Sequence, residues 1–168
     1  TRVGLERHRS TEPTVSVVCS TNRPGQLDHV LAGVAAQLGV DPQLVLVTHG
    51  FTAPADLPAR AAALGLEDLV VVEADSGLTL GECLNLGIER ADGDLVAKLD
   101  DDDLYGPHYL ADQRRALDYS GAQVVGKQAH HMLLQGTGAL MVRFPEREHR
   151  FTDLVMGPTL LMPREVAL

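Results

Sequence analysis

Two rhythms of apolar spacing alternate along the first two-thirds of the chain. Val15-Ser16-Val17-Val18-Cys19 is a β-branched run closed by Ser20-Thr21-Asn22-Arg23-Pro24-Gly25, which predicts a buried strand ending in a turn. From Gln26 onward Leu27, Val30, Leu31, Val34 and Leu38 recur at helical spacing, and Gly39 is the predicted stop. Leu44-Val45-Leu46-Val47 predicts a second strand, Pro58 to Leu64 a short helix stopped by Gly65, and Leu69-Val70-Val71-Val72 a third strand. Leu80, Cys83, Leu84, Gly87, Ile88 and Ala91 line one face of a helix predicted to end at Gly93. Leu95-Val96-Ala97-Lys98-Leu99 is a fourth strand that runs into Asp100-Asp101-Asp102-Asp103, and Pro107 suits the first turn of a helix carrying Tyr109, Leu110, Gln113, Ala116 and Leu117. After Gly121 the pattern breaks into short strands at Val124-Val125, His131 to Leu134, Ala139 to Val142 and Thr159 to Met162.

Alternation of this kind predicts an α/β fold with a mostly parallel sheet flanked by helices. Residues 14–120 form that sheet region, 1–13 a loose arm, and 121–168 a small mixed-sheet C-terminal extension of the same domain. Composition agrees: 45% of the 168 residues are hydrophobic and 22% charged, with mean hydropathy at zero. No stretch reaches the roughly 18 apolar residues of a transmembrane helix, and no signal peptide opens the chain, which implies a cytoplasmic protein. Thr1 in place of methionine suggests a piece of a longer protein. Net charge of −9 argues against nonspecific nucleic-acid binding, and any phosphate-bearing ligand then needs a local cation. Cys19 and Cys83, outside any CxxC spacing, read as buried reduced thiols.

In open α/β sheets ligands lie beyond the carboxyl ends of the strands. Three predicted strands deliver polar clusters there: Ser20-Thr21-Asn22-Arg23, Thr48-His49-Gly50 and Asp100 to Asp103. Adjacent carboxylates repel by about 1 kcal/mol per close pair in water and about 4 kcal/mol at an intermediate dielectric. A divalent cation would offset that cost, and an all-oxygen donor set with open positions suits Mg²⁺ or Mn²⁺. A solvated acidic turn capping the helix after Pro107 is the competing interpretation. Lys98 can either support a diphosphate or pair with an acid. His130 and His131, neighbours on a strand, point to opposite faces and cannot easily share one ion. Arg143, Arg147 and Arg150 suit a solvated face.

Four segments in order resemble the family 2 glycosyltransferases of GT-A (Rossmann-like) fold: Val15 to Pro24, Asn85-Leu86-Gly87-Ile88, Ala91-Asp92-Gly93-Asp94 and Leu99 to Asp103. The match spans about Thr14 to Leu117, and Val155 to Val166 looks like the family's glycine-containing strand before the acceptor region. The resemblance implies metal-assisted, inverting transfer of a sugar from a nucleotide-diphosphate donor to an acceptor hydroxyl on a saccharide, lipid carrier or small molecule. A lipid carrier would place the protein at the inner face of the membrane. Thr21, Asn22, Arg23, Thr48, His49, Asp100 and Asp101 would then bind the donor. Asp102 would be the direct ligand of Mn²⁺ or Mg²⁺, with Asp100 and Asp103 assisting.

Three positions depart from the family pattern. Thr48-His49-Gly50-Phe51 stands where the family has an Asp-Asp-Gly-Ser-like turn, so the nucleobase contact does not carry over. Leu84 replaces a basic residue. The Glu-Asp pair that supplies the family's general base is absent downstream of Val166, which puts the base beyond Leu168. A non-catalytic nucleotide-sugar-binding or assembly module of the same fold is therefore the alternative. A phosphatase of the Asp-x-Asp-x-Thr type fails at Leu104.

Overall fold

The computed structural model describes residues 12–167, so all but the last two residues of the expected N-terminal arm lie outside the described residues. Four parallel strands build the sheet: β1 (Val15–Thr21), β2 (Gln43–His49), β3 (Leu69–Ala74) and β4 (Leu95–Lys98). Their spatial order is β3-β2-β1-β4, continued by a short antiparallel edge strand β7 (Leu161–Pro163). Register is fixed by pairs such as Cys19↔Leu46 and Val17↔Ala97. The chain moves outward from β1 through β2 to β3, then returns past β1 to lay down β4. The order reverses between β1 and β4, and such a switch point opens a crevice at the carboxyl ends.

Helices α1 (Leu27–Ala35), α2 (Leu57–Ala63) and α4 (Tyr109–Ser120) cover one face, and α3 (Leu80–Glu89) covers the other. Val15, Val17, Cys19, Leu44 and Leu46 meet Leu27, Leu31, Leu57 and Leu110 on the first face, all essentially without exposure. Val18, Val45 and Val96 point the opposite way toward Leu84 and Ile88. Strands buried on both faces read as continuous apolar runs, which is why β1 and β2 lack alternation.

Several boundaries differ from the sequence expectation. Helix α1 stops at Ala35 and α3 at Glu89, so Gly39 and Gly93 sit in the loops beyond rather than at the helix ends. Val124-Val125 is not a strand; Val125 makes only an isolated bridge to Leu161. Residues 157–159 form a 3-10 turn, so the last strand begins at Leu161. The extension also contains a hairpin of β5 (His130–Leu134) and β6 (Ala139–Arg143), separate from the main sheet. A short helix α5 (Arg164–Ala167) ends the described chain. No helix among the described residues is long and apolar enough to cross a membrane.

Candidate functional site

The carboxyl ends of β1 and β4 bring Thr21 and Arg23 against Asp101 and Asp102, across 78 or more residues of sequence. Thr21 is buried and donates its hydroxyl proton to Asp101 Oδ2 at 2.5 Å, while the same oxygen atom of Thr21 accepts the Arg23 backbone N–H at 3.0 Å. Arg23 reaches over the cluster. Its Nε donates to Asp101 Oδ2 at 3.0 Å, an Nη to Asp101 Oδ1, and Nη1 to Asp102 Oδ2 at 3.1 Å. The Asp101 side chain is only 7% exposed, against 53% for Asp102. Lys98 Nζ is ion-paired with Asp100.

Three of the four carboxylates have a resident cation: Lys98 compensates Asp100, and Arg23 compensates Asp101 and Asp102, while Asp103 makes no ion pair among the described residues. Lys98 thus takes its acid-pairing role. Burial alone would raise the Asp101 pKa, but hydrogen bonds from Arg23 and Thr21 outweigh it and hold the carboxyl below its ordinary value. Asp103 goes the other way, raised by burial and by the charges of Asp100 and Asp102. Beneath the cluster a cavity of about 20 Å³ is lined by Cys19, His29, Val34, Leu99 and Tyr105. Burial there, with Asp101 and Asp100 nearby, pushes the Cys19 thiol up to about 12, so it stays protonated.

The other expected positions fall unequally. Asn22 is exposed at the rim, and His49 is half-buried at the end of β2. His49 Nε2 is buried and has no hydrogen-bond partner among the described residues. Thr48 is fully buried and its hydroxyl is likewise without a hydrogen-bond partner among the described residues. His130 Nδ1 pairs with the Gln128 carbonyl at 2.9 Å.

Sequence reasoning passed over Tyr105. Its hydroxyl accepts the Asp100 N–H at 2.9 Å and donates to the Pro158 carbonyl at 2.9 Å. Gln113 on α4 donates to the Thr159 carbonyl at 2.8 Å, and Thr159 Oγ1 accepts the Lys127 N–H at 2.8 Å. The acidic loop is thereby tied to the 157–159 turn and to the extension. A tyrosine two residues after an acidic run carries no periodic signal, which is why only the fold reveals it.

The chain matches the model of the Glycosyl transferase family 2 over residues 16–153. It belongs to that family. In fold it is similar to the mannosyltransferase PcManGT from Pyrobaculum calidifontis, solved in complex with GDP-Man and Mn²⁺: TM-score 0.69 at 17% identity, covering 94% of this chain and 46% of that one. It is also similar to S. aureus TarS 1-349, with TM-score 0.63 at 19% identity over 91% of this chain and 48% of that one. The TarS complex with UDP-GlcNAc gives 0.64 at 17%, over 91% and 46%. The chain therefore spans about half the length of these structures, and the likeness establishes a GT-A fold. No curated protein sequence matches.

Within this family 2 glycosyltransferase domain, two of the motif segments turn out to be architectural. A Cβ on Gly87 would lie 2.6 Å from Val18 Cγ1, so the glycine lets α3 approach the sheet. One on Gly93 would lie 2.6 Å from the Ser16 nitrogen. Around it Ser16 Oγ donates to Gln43 Oε1 at 2.7 Å and accepts the Gly93 N–H at 2.8 Å, while Asp94 receives the Thr14 N–H at 2.9 Å and its hydroxyl at 2.8 Å. These bonds close the amino ends of β1 and β4, opposite the acidic crevice.

No group of three or more His, Cys, Asp or Glu side chains among the described residues is arranged to hold a metal. The half-exposed Asp102 carboxylate at the crevice is nevertheless suited to a hard cation that takes its remaining oxygens from water and phosphate, the habit of Mg²⁺ and its analogues.

Proposed function

We propose that the β1–β4 crevice binds a nucleotide-diphosphate sugar together with Mn²⁺ or Mg²⁺ and that the domain transfers the sugar to an acceptor hydroxyl, with inversion. The observation that carries this is the meeting of Thr21 and Arg23 with Asp101 and Asp102 at the switch point of a family 2 domain. Relatives in fold solved with GDP-Man and Mn²⁺ or with UDP-GlcNAc support the ligand class. Asp102 would hold the cation, with Asp100 and Asp103 as flanking oxygens, and the bound cation would supply charge neutralisation to the departing diphosphate.

The chain's own residues divide the remaining work. Thr21 and Asp101 fix the Arg23 fork, a planar donor suited to phosphate oxygens. Asn22 and His49 border the nucleoside, the unpartnered His49 Nε2 offering it a hydrogen bond. Thr48 supports His49 from within the sheet. Lys98 holds Asp100 beside the crevice. Residues 121–167 border the acceptor side, tied to the donor half through Tyr105. A nucleotide-sugar donor favours a reaction in the cytoplasm, at the inner membrane face if the acceptor is a lipid carrier.

Isothermal titration with UDP-, GDP- and dTDP-sugars in the presence of Mn²⁺ tests the proposal. Saturable heat with at least one donor is the expected result; none with any donor, on folded protein, overturns it. The alternative of a non-catalytic binding module is favoured by Thr48-His49 in place of the family's acids. Donor binding without sugar transfer by the longest natural chain would establish that alternative.

A further inference from the structure

We propose that the β5–β6 hairpin is a docking blade for an anionic lipid surface, entering it to headgroup depth with Arg143, Arg147 and Arg150 at its foot. The inference goes beyond the donor-site reading and is independent of it, because the contact needs no nucleotide.

The hairpin is a two-stranded sheet apart from the five-stranded one. Its register pairs His131 with Val142 and Leu133 with Leu140 on one face, and Met132 with Met141 and Leu134 with Ala139 on the other. Both faces are therefore largely apolar, and both are open: Leu133 is 55% exposed, Leu140 66%, Val142 50% and Met141 45%. A strand with one face in water ordinarily alternates apolar with polar residues, and this ribbon does not. A globular partner or a second copy laid on one face would leave the other in water, whereas the interfacial zone of a bilayer surrounds both. Charge makes the same selection. Lys127, Arg143, Arg147 and Arg150 stand against Glu146 and Glu148 in this segment, although the whole chain carries −9. Lys127 precedes β5, and Arg143 closes β6 opposite His130. The loop holding Arg147 and Arg150 returns to that foot, where the Thr152 hydroxyl donates to Gln128 Oε1 at 3.2 Å and the Met156 N–H to the Lys127 carbonyl at 2.8 Å. Arg147 is half-exposed and pairs only with its neighbour Glu146, at 3.5 Å. Cations at the foot of an apolar blade meet lipid phosphates as the blade enters, and the acidic remainder of the chain is repelled from the same surface. Each strand of a two-stranded ribbon keeps one row of N–H and C=O groups for water, which holds the blade at the hydrated interface and out of the hydrocarbon core.

Co-sedimentation of the full natural chain with vesicles tests this, using phosphatidylcholine alone or with about one-third phosphatidylglycerol. Binding is expected to the anionic vesicles and not to the neutral ones, and it should weaken in high salt. Arg147→Gln with Arg150→Gln should weaken it about tenfold or more. Leu133→Thr with Leu140→Thr should do the same with an unchanged circular dichroism spectrum. The chain has no tryptophan, so Met141→Trp places a single reporter on the blade. Its emission should shift to the blue when anionic vesicles are added and be quenched by brominated lipid. Absence of binding to anionic vesicles overturns the inference, as does binding that either double variant leaves intact. A tryptophan emission already blue before lipid is added, or a dimer that the leucine double variant dissolves, overturns it too, because protein then covers the blade.

Discussion

The Tyr105 hydroxyl is bonded to the Pro158 carbonyl at 2.9 Å, joining the acidic loop to a turn 53 residues further along the chain. The same oxygen accepts the Asp100 N–H. Burial, foremost, keeps this phenol protonated, raising its pKa well above the ordinary value. Tyr105→Phe removes both bonds and leaves a part-buried N–H and C=O to find water, at a cost of about 1 kcal/mol. We expect a thermal midpoint lower by several degrees, and weaker donor binding in calorimetry because Asp100 loses its fixed backbone. An unchanged midpoint would show that the bond does not hold the loop.

Asp102→Asn should abolish Mn²⁺ binding in the presence of nucleotide while leaving the melting temperature within about a degree, since a half-exposed carboxylate contributes little to the fold. Unchanged Mn²⁺ affinity would remove Asp102 from the ligand set.

Asp101 and Asp103 should respond to pH with opposite signs. The folded pKa of Asp101 is depressed, so its contribution to stability is present above the ordinary carboxylate range and is lost as pH falls through the folded value. Asp101→Asn should therefore destabilise at pH 7, with the gap to wild type closing in acid. The folded pKa of Asp103 is raised, so its ionised form penalises the fold at neutral pH, and protonation relieves the penalty as pH falls through that value. Asp103→Asn should stabilise at pH 7 and match wild type in acid. Urea melts at several pH values read both slopes, and parallel curves would contradict the assignment.

Thr48→Val exchanges an unpartnered buried hydroxyl for a methyl group of similar size. It should stabilise the protein by about 1 kcal/mol and leave donor affinity unaltered. His49→Leu should weaken donor binding without lowering the melting point. The reverse pattern would move nucleoside recognition from His49 to Thr48.

Gly87→Ala places a methyl group 2.6 Å from Val18 and 3.0 Å from Val47. Overpacking of this kind costs about 1–3 kcal/mol. Denaturant melts should show the loss, with no change in Mn²⁺ dependence.

Much of this was visible in the sequence. The β-branched runs at Val15 and Leu44 and the helical spacing from Leu27 to Val34 gave the parallel α/β sheet, because burial on two faces demands continuous apolar strands and burial on one demands a stripe. Helix ends were misplaced at Gly39 and Gly93. A glycine marks where the backbone must bend or approach closely, and both lie in loops beyond the helix they were expected to end. The order of motifs also pointed to family 2, which the match over residues 16–153 establishes.

Local sequence thus determined which elements form and that four acids follow β4, since both depend only on neighbouring side chains. Tertiary structure decided who neutralises those acids. Arg23 lies some eighty residues earlier and meets Asp101 only because β4 is laid down parallel to and beside β1, where the strand order reverses. It also decided that Thr48 is fully buried while His49 is half-buried, as alternation along β2 sends neighbouring side chains to opposite sides. Charge compensation and facing are properties of distance in space, and a one-dimensional pattern records neither.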